Sequence, residues 1–381
     1  MRIGINTLFF IPGKVGGSET YIRNLLSKLS DIDNGNEYFI FANRENFNEF
    51  RIDKPNFHKV LCPINASFKP GRILWEQFVL PFQTLKYKID ILFSPGYTAP
   101  VFTKCKQVVA IYDLNYYHHP EDFSRFELIF WKLLIPLSAR VADRIIVLSN
   151  NSKRDIENVL DVPSNKVVPI YLAANIFSNT ADWTEEKIRE VKKKYKIDQD
   201  YILSVAAFHP HKNLYRLIEA YKILKDRYGS SHKLVLVGMK ARASKAVEGA
   251  IKGMSLEKDV IFTGWVPVED IPILYKGAAI FVFPSLFEGF GIPPIEAMTC
   301  GTPVAVSNTT SLPEVVEDAG LFFNPMNIED IAVKIHTIVA DKNIRNELIK
   351  KGFEQARKFS WESTARQTLD VFKSVISDSQ R

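Results

Sequence analysis

The sequence predicts an α/β protein of two Rossmann-like, doubly wound domains, and three observations support this prediction. Short apolar runs alternate with amphipathic stretches along the whole chain, which is typical of parallel strand–helix units. The chain has 381 residues, too many for one ordinary α/β domain and enough for two. A polar, lysine-rich stretch at 175–195 interrupts the alternation, and we expect a linker in its first part and a helix in its second.

Each half of the chain has its own predicted series of strands and helices. In the first half the strands are 2–10, 38–43, 58–63, 91–94, 107–113, 144–149 and 166–172, with helices at 18–30, 73–86, 126–141 and 152–160. In the second half the strands are 201–208, 233–238, 260–265, 280–284, 303–307 and 321–324, with helices beginning near 212, 242, 268, 293, 311, 328 and 344, and a last helix at 361–376. Open α/β sheets bind ligands at the carboxyl ends of their strands, so we expect two such edges facing each other across a cleft.

Composition and charge exclude several classes of protein. No segment approaches the roughly 18 apolar residues that a membrane-spanning helix needs, and residues 1–5 lead directly into a strand, so we expect a cytoplasmic protein. Cys62, Cys105 and Cys300 lie far apart, which argues against a disulfide framework or a metal site. The net charge of +6 fits an anionic small ligand or an anionic membrane surface, and does not indicate nucleic acid.

The most informative motif is the stretch 284–298, which follows a predicted strand. Gly289 and Gly291 predict a tight turn where backbone N–H groups can approach a ligand closely. Pro293 and Pro294 suit the first turn of a helix, where their missing N–H groups are not needed. The start of such a helix attracts anions, so we expect a diphosphate to bind there.

Two glutamates bracket this turn. Glu288 lies in the predicted loop and Glu296 about one turn into the helix. A carboxylate can accept hydrogen bonds from both hydroxyls of a vicinal diol, so the two glutamates could hold the two sugars of a nucleotide sugar. The alternative is that both are ordinary acids that favour the positive end of the helix dipole.

A lysine follows the first strand of the second half, in the stretch 208–213. Lys212 stands where that strand turns into a helix, and a lysine there can reach a phosphate as a mobile point charge. The alternative is a solvated surface lysine.

Two features of the first half also follow strands. The stretch 13–20 is a glycine-rich turn into a helix with Ser18 as the predicted N-cap, and it could close over donor phosphates or be a turn only. It does not match the G-x-G-x-x-G pattern of dinucleotide-binding proteins. Asp113 ends a strand, where it could contact substrate hydroxyls or cap the next segment.

No metal site is predicted. The two D-x-D triplets, 31–33 and 198–200, come before strands, whereas a magnesium site for a nucleotide diphosphate would follow one. We therefore read both triplets as turns. His118 and His119 form no ligand set, and no cofactor is expected.

The predicted helix 68–88 has an aromatic and aliphatic stripe on one face. The stripe comprises Trp75, Phe78, Val79 and Phe82, and the flanking basic residues are Lys69, Arg72, Lys86 and Lys88. A stripe of this kind usually packs into a core, and it could also lie on an anionic membrane surface. The sequence alone does not decide between core packing and a membrane surface.

These motifs together resemble a known family, the retaining GT-B fold glycosyltransferases of family 4. Glu288 and Glu296 match the E-x7-E motif of that family, and the resemblance runs the whole length of the chain. The stretches 300–307, 312–315, 72–75 and 16–20 are also similar to the family, especially to its mannosyltransferase-like branch.

The resemblance implies a division of labour between the domains. An N-terminal domain over 1–175, joined by the returning helix 361–381, would bind the acceptor, and a C-terminal domain over 190–360 would bind the nucleotide-sugar donor. The implied catalytic residues are Glu288, Lys212 and Asp113. The implied donor-binding residues are Gly16, Gly17, Lys212, Asn213, Val266, Glu288, Phe290, Gly291, Ile292 and Glu296, with Lys212 on the phosphates, Glu296 on the ribose, Glu288 on the donor sugar and Val266 near the base.

The sequence departs from the family pattern at two places. Tyr112 precedes Asp113 where the family usually has a histidine, which puts the usual histidine contact to the donor sugar in doubt. Arginines that the family often has near Ala206 and at His211 are missing, so Lys212 would neutralise more of the phosphate charge.

The function implied by the resemblance is metal-independent, retaining transfer of a hexose. Mannose from GDP-mannose is the expected donor, a glycan or lipid-linked glycan the acceptor, and a peripheral contact with the inner face of the membrane stays open. The alternatives are a UDP-sugar donor or a GT-B-like sugar-nucleotide epimerase. An NAD-dependent oxidoreductase would need the absent glycine fingerprint, and a two-lobed sugar-binding protein would usually carry a signal peptide.

Overall fold

The computed structural model describes residues 1–14, 16–175 and 183–378, and the chain divides into two compact units. The N-terminal unit comprises Met1–His118, Phe123–Leu172 and Ser360–Arg381. The C-terminal unit comprises Ala173–Phe359 together with the short segment His119–Asp122. The predicted N-terminal range 1–175 therefore differs from the structural division at 119–122 and at its last residues.

The N-terminal unit has a seven-stranded sheet in the order β3-β2-β1-β4-β5-β6-β7, and all its strand pairs are parallel. The strands are β1 Arg2–Asn6, β2 Glu37–Ala42, β3 Phe57–Leu61, β4 Ile91–Ser94, β5 Lys106–Ala110, β6 Arg144–Val147 and β7 Val167–Pro169. The helices are α1 Gly17–Ile32, α2 Lys69–Phe78, α3 Leu80–Lys86, α4 Asn115–His118, α5 Arg125–Val141 and α6 Asn150–Leu160.

The C-terminal unit has a six-stranded sheet in the order β10-β9-β8-β11-β12-β13, again with parallel pairs. Its strands are β8 Tyr201–Val205, β9 Lys233–Val237, β10 Val260–Gly264, β11 Ile280–Phe283, β12 Val304–Ser307 and β13 Gly320–Phe323. Its helices are α7 Glu185–Lys194, α8 Leu214–Tyr228, α9 Ser244–Gly253, α10 Ile271–Gly277, α11 Ile292–Thr299, α12 Leu312–Val316, α13 Ile328–Ala340 and α14 Lys342–Ala356.

The last helix, α15 Trp361–Ser377, belongs to the N-terminal unit and packs against α1. Trp361 is 1% exposed, and its ring centroid lies 6.4 Å from that of Tyr21. Burying these large aromatic side chains stabilises the attachment of the helix. The chain therefore returns to its first unit, as the family resemblance implies.

The central strands of both sheets are buried on both faces, as is typical of doubly wound sheets. Successive residues of a strand point to opposite faces, and the adjacent residues Ile3 and Gly4 of β1, and Ile202 and Leu203 of β8, are all buried. In each sheet the strand order reverses once, between β1 and β4 and between β8 and β11. Such a reversal opens a crevice at the carboxyl ends of the two strands, and we call these two places the switch points.

The structure confirms the predicted fold class and corrects several element boundaries. The predicted strand 2–10 ends at Asn6, since Phe10 N–H donates to the Thr7 carbonyl oxygen and closes a turn. The helix predicted in the second part of the stretch 175–195 is α7, with Thr184 as its N-cap. The linker expected just before it falls largely on 176–182, outside the described residues.

The predicted single helix over 68–88 was wrong, because the structure has two helices there. α2 ends at Phe78 and α3 starts at Leu80, with Pro81 in its first turn. A proline inside a continuous helix would clash with the preceding turn, so the helix restarts instead. Trp75 packs against a core cluster, whereas Phe78 and Phe82 are 66% and 71% exposed.

No helix within the described parts of the chain is long and apolar enough to cross a membrane.

Candidate functional site

The switch point of the C-terminal unit brings two oppositely charged side chains together. Lys212 follows β8 and Glu288 follows β11, and these strands are neighbours in the sheet. Lys212 Nζ donates a hydrogen bond of 2.6 Å to Glu288 Oε1. The two side chains are only 18% and 13% exposed, so their charges are screened less than those of a surface pair. The structure thus places both residues where α/β sheets bind ligands.

The loops that carry Lys212 and Glu288 are tied to each other by hydrogen bonds. Asn213 has a φ of 57° and begins α8, and its side-chain amide donates to the carbonyl oxygens of Pro284 and Pro325 at 3.1 and 2.8 Å. Leu286 N–H donates to the His211 carbonyl oxygen at 2.7 Å. Asn213 is 4% exposed, so its side chain positions the two loops rather than lying open to a ligand.

The glycine turn predicted before α11 is present. Gly291 has a φ of 107°, a conformation that residues with a side chain rarely adopt. A Cβ atom there would also lie 2.7 Å from Leu312 Cδ2. Pro293 and Pro294 carry no N–H, so the N–H groups that have no partner within the helix at its start are those of Gly291 and Ile292. This helix start is suited to an anion.

Two hydroxyl side chains hold the turn in place. Glu288 N–H donates to Thr310 Oγ1 at 3.1 Å. Ser311 Oγ lies 2.9 Å from the Glu288 carbonyl oxygen and 2.8 Å from that of Phe290. Ser311 is completely buried. Neither hydroxyl residue was among the predicted site residues. The sequence pattern next to them is the stretch 312–315, which follows them directly and resembles the family.

Glu296 is a buried carboxyl on the first turns of α11. It is 8% exposed, and it accepts hydrogen bonds from Asn175 Nδ2 at 3.1 Å and from the Tyr275 hydroxyl at 3.2 Å. Burial raises the pKa of Glu296 to about 7, and the two hydrogen bonds act in the opposite direction. Both partners are neutral, so the carboxyl keeps acceptor capacity that ribose hydroxyls could use.

A histidine–aspartate pair lies next to Lys212, and no pattern in the sequence predicted it. His211 Nδ1 is hydrogen-bonded to Asp122 Oδ2, and the side chains are 12% and 2% exposed. Arg242 donates to the Glu121 carbonyl oxygen at 3.2 Å, which also holds this segment in the C-terminal unit. Asp122 and His211 are 89 residues apart, so no spacing in the sequence relates them.

The remaining predicted donor-binding residues of the C-terminal unit are mostly buried. Val266 follows β10 and is 5% exposed. Phe290 is 3% exposed, and its ring packs edge-on against Phe359 with centroids 5.7 Å apart. The Phe290 side chain thus belongs to the core, which leaves its backbone as the part that a donor would contact.

Three predicted site residues lie in the N-terminal unit. Gly16 has a φ of 56° and is the N-cap of α1, so the predicted cap Ser18 was wrong by two positions. Gly17 is the first residue of the helix, and a Cβ atom on either glycine would meet nothing within 4 Å. Asp113 Oδ1 accepts a hydrogen bond of 3.0 Å from Asn115 N–H at the start of α4. Asp113 therefore caps the next segment, and its predicted contact with substrate hydroxyls stays a prediction.

Tyr112, which stands where the family has a histidine, points into the core of the N-terminal unit. It is 5% exposed, and its hydroxyl donates to the Pro95 carbonyl oxygen. Its ring packs edge-on against those of Tyr21 and Tyr97. The Tyr112 hydroxyl is thus already used within the unit.

Among residues 1–14, 16–175 and 183–378, no group of three histidine, cysteine, aspartate or glutamate side chains could hold a metal ion. The D-x-D triplet at 198–200 lies between α7 and β8, as predicted, whereas the one at 31–33 begins inside α1 and only Asp33 lies beyond the helix. Asp33 accepts hydrogen bonds from Asn36 and from the Tyr38 hydroxyl within its own turn.

Fold and site together define a doubly wound, two-unit α/β protein with a charged switch point in its C-terminal unit, next to a helix start suited to an anion. The family described as glycosyl transferases group 1 matches residues 185–355, and glycosyltransferase family 4 matches residues 15–176. The chain is 31% identical to O-antigen chain mannosyltransferase B of Escherichia coli, over 75% of both chains. It therefore belongs to the family 4, group 1 glycosyltransferases and is a glycosyltransferase.

Two further relatives match this chain over a smaller share of their own length. O-antigen chain mannosyltransferase RfbU of Salmonella typhimurium is 29% identical, over 58% of this chain and 57% of that protein. The serotype-specific mannosyltransferase WbdA of Escherichia coli is 33% identical over 63% of this chain, which spans 30% of WbdA.

Solved structures confirm the two-domain GT-B fold. Sucrose-phosphate synthase of Thermosynechococcus elongatus has a TM-score of 0.78 at 20% identity, covering 99% of this chain and all of that one. Anabaena Alr3699/HepE, solved with UDP and glucose, has a TM-score of 0.75 at 19% identity, covering 98% of this chain and all of that one.

Proposed function

We propose that this glycosyltransferase moves mannose from GDP-mannose to a hydroxyl of a glycan or lipid-linked glycan, with retention of configuration and without a metal ion. The observation that carries the proposal is the Lys212–Glu288 pair at the switch point, next to the helix start at Gly291. The proposal of mannose comes from the relatives, which include two O-antigen chain mannosyltransferases and the serotype-specific mannosyltransferase WbdA. A cytoplasmic location belongs to the same proposal.

The proposed donor contacts follow from the charges. The diphosphate would lie at the start of α11, where Lys212 and backbone N–H groups, including that of Ile292, meet it. Glu288 would then exchange its bond to Lys212 for hydroxyls of the donor sugar. Glu296 would accept from the ribose, and the base would lie near Val266.

Departure of the nucleoside diphosphate leaves negative charge on the phosphate and positive charge on the sugar ring. Lys212 and the helix start would stabilise the phosphate charge, and Glu288 would orient the sugar and counter its positive charge. The acceptor hydroxyl would attack from the face that the leaving group vacates, passing its proton to a departing phosphate oxygen. No protein base is then required, and Glu288 is not assigned as a nucleophile.

A thermal-shift series identifies the donor, because a ligand that binds only the folded state raises the melting temperature. We expect GDP-mannose to raise it more than UDP-, ADP- or dTDP-sugars. A larger shift with a UDP-sugar would replace the proposed donor, and no shift with any nucleotide sugar would refute the proposed site.

Transfer assays test the remaining parts of the proposal. Activity should survive EDTA, and complete loss on chelation would overturn the metal-free mechanism. The anomeric configuration of the product, read by NMR, should match that of the donor. Epimerised donor in the absence of an acceptor would instead favour the epimerase alternative.

A further inference from the structure

Arg72 belongs to the stretch 72–75, which resembles the family and has no part in the proposed donor site. It lies in the first turn of α2, and its side chain is only 14% exposed. Within the described part of the chain its guanidinium has no hydrogen-bond partner, and none of its nitrogens is sealed from solvent. A positive charge is therefore held in a mostly covered position with its N–H donors still open.

A buried carboxyl fixes the position of that guanidinium. Glu76 Oε2 lies 4.0 Å from the Arg72 guanidinium, close enough for attraction and too far for a hydrogen bond. The Glu76 carboxyl instead accepts hydrogen bonds from Asn6 Nδ2 at 3.2 Å and from the Thr98 hydroxyl at 2.8 Å. Because neutral groups donate these bonds, Glu76 orients Arg72 without using its donors.

Asn6 and Thr98 place this pair at the switch point of the N-terminal unit. Asn6 ends β1, and Thr98 follows β4, the strand next to β1 in the sheet. Sheets of this kind bind ligands outside the carboxyl ends of their strands, where the strand order reverses. The open donors of Arg72 thus lie beside the place where this unit would bind a ligand.

The loop 95–98 after β4 has a second feature that is common at ligand sites. Tyr97 has a φ of 69°, a left-handed conformation that costs free energy for an aromatic residue. The Tyr97 hydroxyl donates to Asp113 Oδ2 at 3.3 Å. The loop therefore connects to Glu76 through Thr98 and, through Tyr97, to the residue predicted to contact substrate hydroxyls.

The chemistry of a guanidinium defines the group that fits here. Its donors form a planar fork that matches two oxygens of a phosphate or a carboxylate. We propose that Arg72 binds an oxyanion of the acceptor, either a phosphate or the carboxylate of an acidic sugar, and so selects anionic acceptors over neutral ones. This inference rests on the proposed transfer to a glycan or lipid-linked glycan, and it adds the charge of that acceptor.

The alternative is that Arg72 only neutralises Glu76 within its own unit. Loss of Arg72 would then lower the stability of the protein and would affect charged and neutral ligands alike. The dependence of binding on the charge of the ligand separates these two functions.

Isothermal titration of the full chain with three sugars tests the proposal. Mannose 6-phosphate, mannuronate and mannose share one ring and carry a phosphate, a carboxylate and a hydroxyl group at C6. We expect at least one of the two anionic sugars to bind about tenfold more tightly than mannose, because hydrogen bonds between charged groups are stronger than neutral ones. The tighter of the two identifies the source of the oxyanion.

Three variants at this site sharpen the test. Arg72→Gln should weaken binding of the preferred anionic sugar by at least about tenfold and change the affinity for mannose by less than about twofold. Arg72→Lys keeps the charge and loses the fork, so its affinity should be intermediate. Arg72→Gln leaves Glu76 without its counter-charge and should lower the melting temperature, whereas Arg72→Gln combined with Glu76→Gln restores it and still loses anion binding.

Two matched controls remove cations elsewhere. Arg125→Gln removes an exposed arginine of α5 in the same unit and should bind all three sugars as the wild type does. Lys212→Ala removes the lysine proposed for the donor phosphates, and it should keep the preference for the anionic sugar.

Each other outcome overturns the proposal. Equal affinities of the wild type for all three sugars contradict it, as do undetectable binding of both anionic sugars and unchanged anion binding in Arg72→Gln. Equal losses for mannose and the anionic sugars in Arg72→Gln would leave Arg72 a structural role only. Anion binding that is lost in Lys212→Ala and kept in Arg72→Gln would move the oxyanion to the C-terminal unit. The titrations contain no donor, so their result is independent of whether the proposed transfer reaction is correct.

Discussion

The two switch points share one backbone arrangement and differ in their side chains. In the C-terminal unit, Lys212 and Glu288 form an ion pair that is partly open to solvent. In the N-terminal unit, the ends of β1 and β4 carry Asn6 and Ser94, and Asn6 Nδ2 donates both to Ser94 Oγ and to the buried carboxyl of Glu76. The same fold thus holds a site that a ligand can enter and a polar cluster that the protein fills itself.

The difference between the two carboxyls shows what a ligand site requires. Glu76 is 1% exposed, accepts hydrogen bonds from Asn6 and Thr98, and lies 4.0 Å from the Arg72 guanidinium. Glu296 is similarly buried but has neutral partners, and burial raises the pKa of both groups. Glu76, whose partners include a cation, therefore stabilises its own unit. Glu296 has spare acceptor capacity and can accept hydrogen bonds from a ligand.

The difference between the two switch points predicts that the Lys212–Glu288 pair of the C-terminal unit is catalytic. Lys212→Ala and Glu288→Gln should each lower kcat by well over tenfold, and about a hundredfold is the usual cost of one lost charge-stabilising contact. Steady-state transfer kinetics measure this effect. Lys222→Ala, which removes an exposed lysine of α8, should stay within about twofold of the wild type. Wild-type kcat in both site variants would refute their roles.

The glycine turn of the C-terminal switch point gives a second test, because Gly291 combines a positive φ with a close approach to the Leu312 side chain. Gly291→Ala should destabilise the protein by about 1–3 kcal/mol and weaken donor binding. Thermal melting with and without donor measures both effects. Gly17→Ala serves as the stability control, since its Cβ atom would meet nothing within 4 Å. Equal stabilities of the two variants would contradict the predicted strain.

The two buried carboxyls predict a pH-dependent difference. Because the folded-state pKa of Glu296 is raised to about 7, its ionisation costs stability as the pH rises from about 4.5 through 7. Glu296→Gln removes that cost, so its melting temperature should exceed that of the wild type by a few degrees at about pH 8 and match it near pH 5. An advantage that is larger at low pH would show the sign to be wrong.

Donor affinity then separates the functions of the two carboxyls. Glu296→Gln should bind the nucleotide sugar at least several-fold more weakly, because a carboxylate is the stronger acceptor for ribose hydroxyls. Glu76→Gln should leave donor affinity unchanged within about twofold, since that carboxyl is enclosed by its own unit. Isothermal titration with the donor measures both. A loss of affinity in Glu76→Gln alone would reverse the comparison.

The smallest expected effect concerns the His211–Asp122 pair as a positioning device for Lys212. His211→Asn and Asp122→Asn should each lower kcat/KM by about fivefold, because a loosened turn displaces the neighbouring lysine. His118→Asn disrupts the His118–Asp155 pair of the N-terminal unit and provides a matched control with wild-type kinetics. A purely structural role for His211 would lower the melting temperature and leave kcat/KM of the folded enzyme unchanged.

Much of the site near 284–298 could be predicted from sequence because its residues are neighbours along the chain. Gly291, Pro293 and Pro294 specify a turn and a helix start through local backbone geometry, and Glu288 and Glu296 are placed by that geometry. The catalytic and donor-binding roles of these residues, like those of Gly16, Gly17, Asp113, Lys212, Val266 and Ile292, stay predictions. The positioning role of Asn213 could not be foreseen, because its bonds reach Pro284 and Pro325.

The sequence by itself determined the two doubly wound sheets and the glycine turn that begins α11. Apolar periodicity and glycine or proline placement act within a few residues, so they can be read directly along the chain. Tertiary structure alone decided that Asp122 meets His211, that Asn175 and Tyr275 hold Glu296, and that Phe82 and Phe102 share one exposed surface. These contacts join residues that are 20 to 121 positions apart, and only the packing of whole strands and helices brings them together.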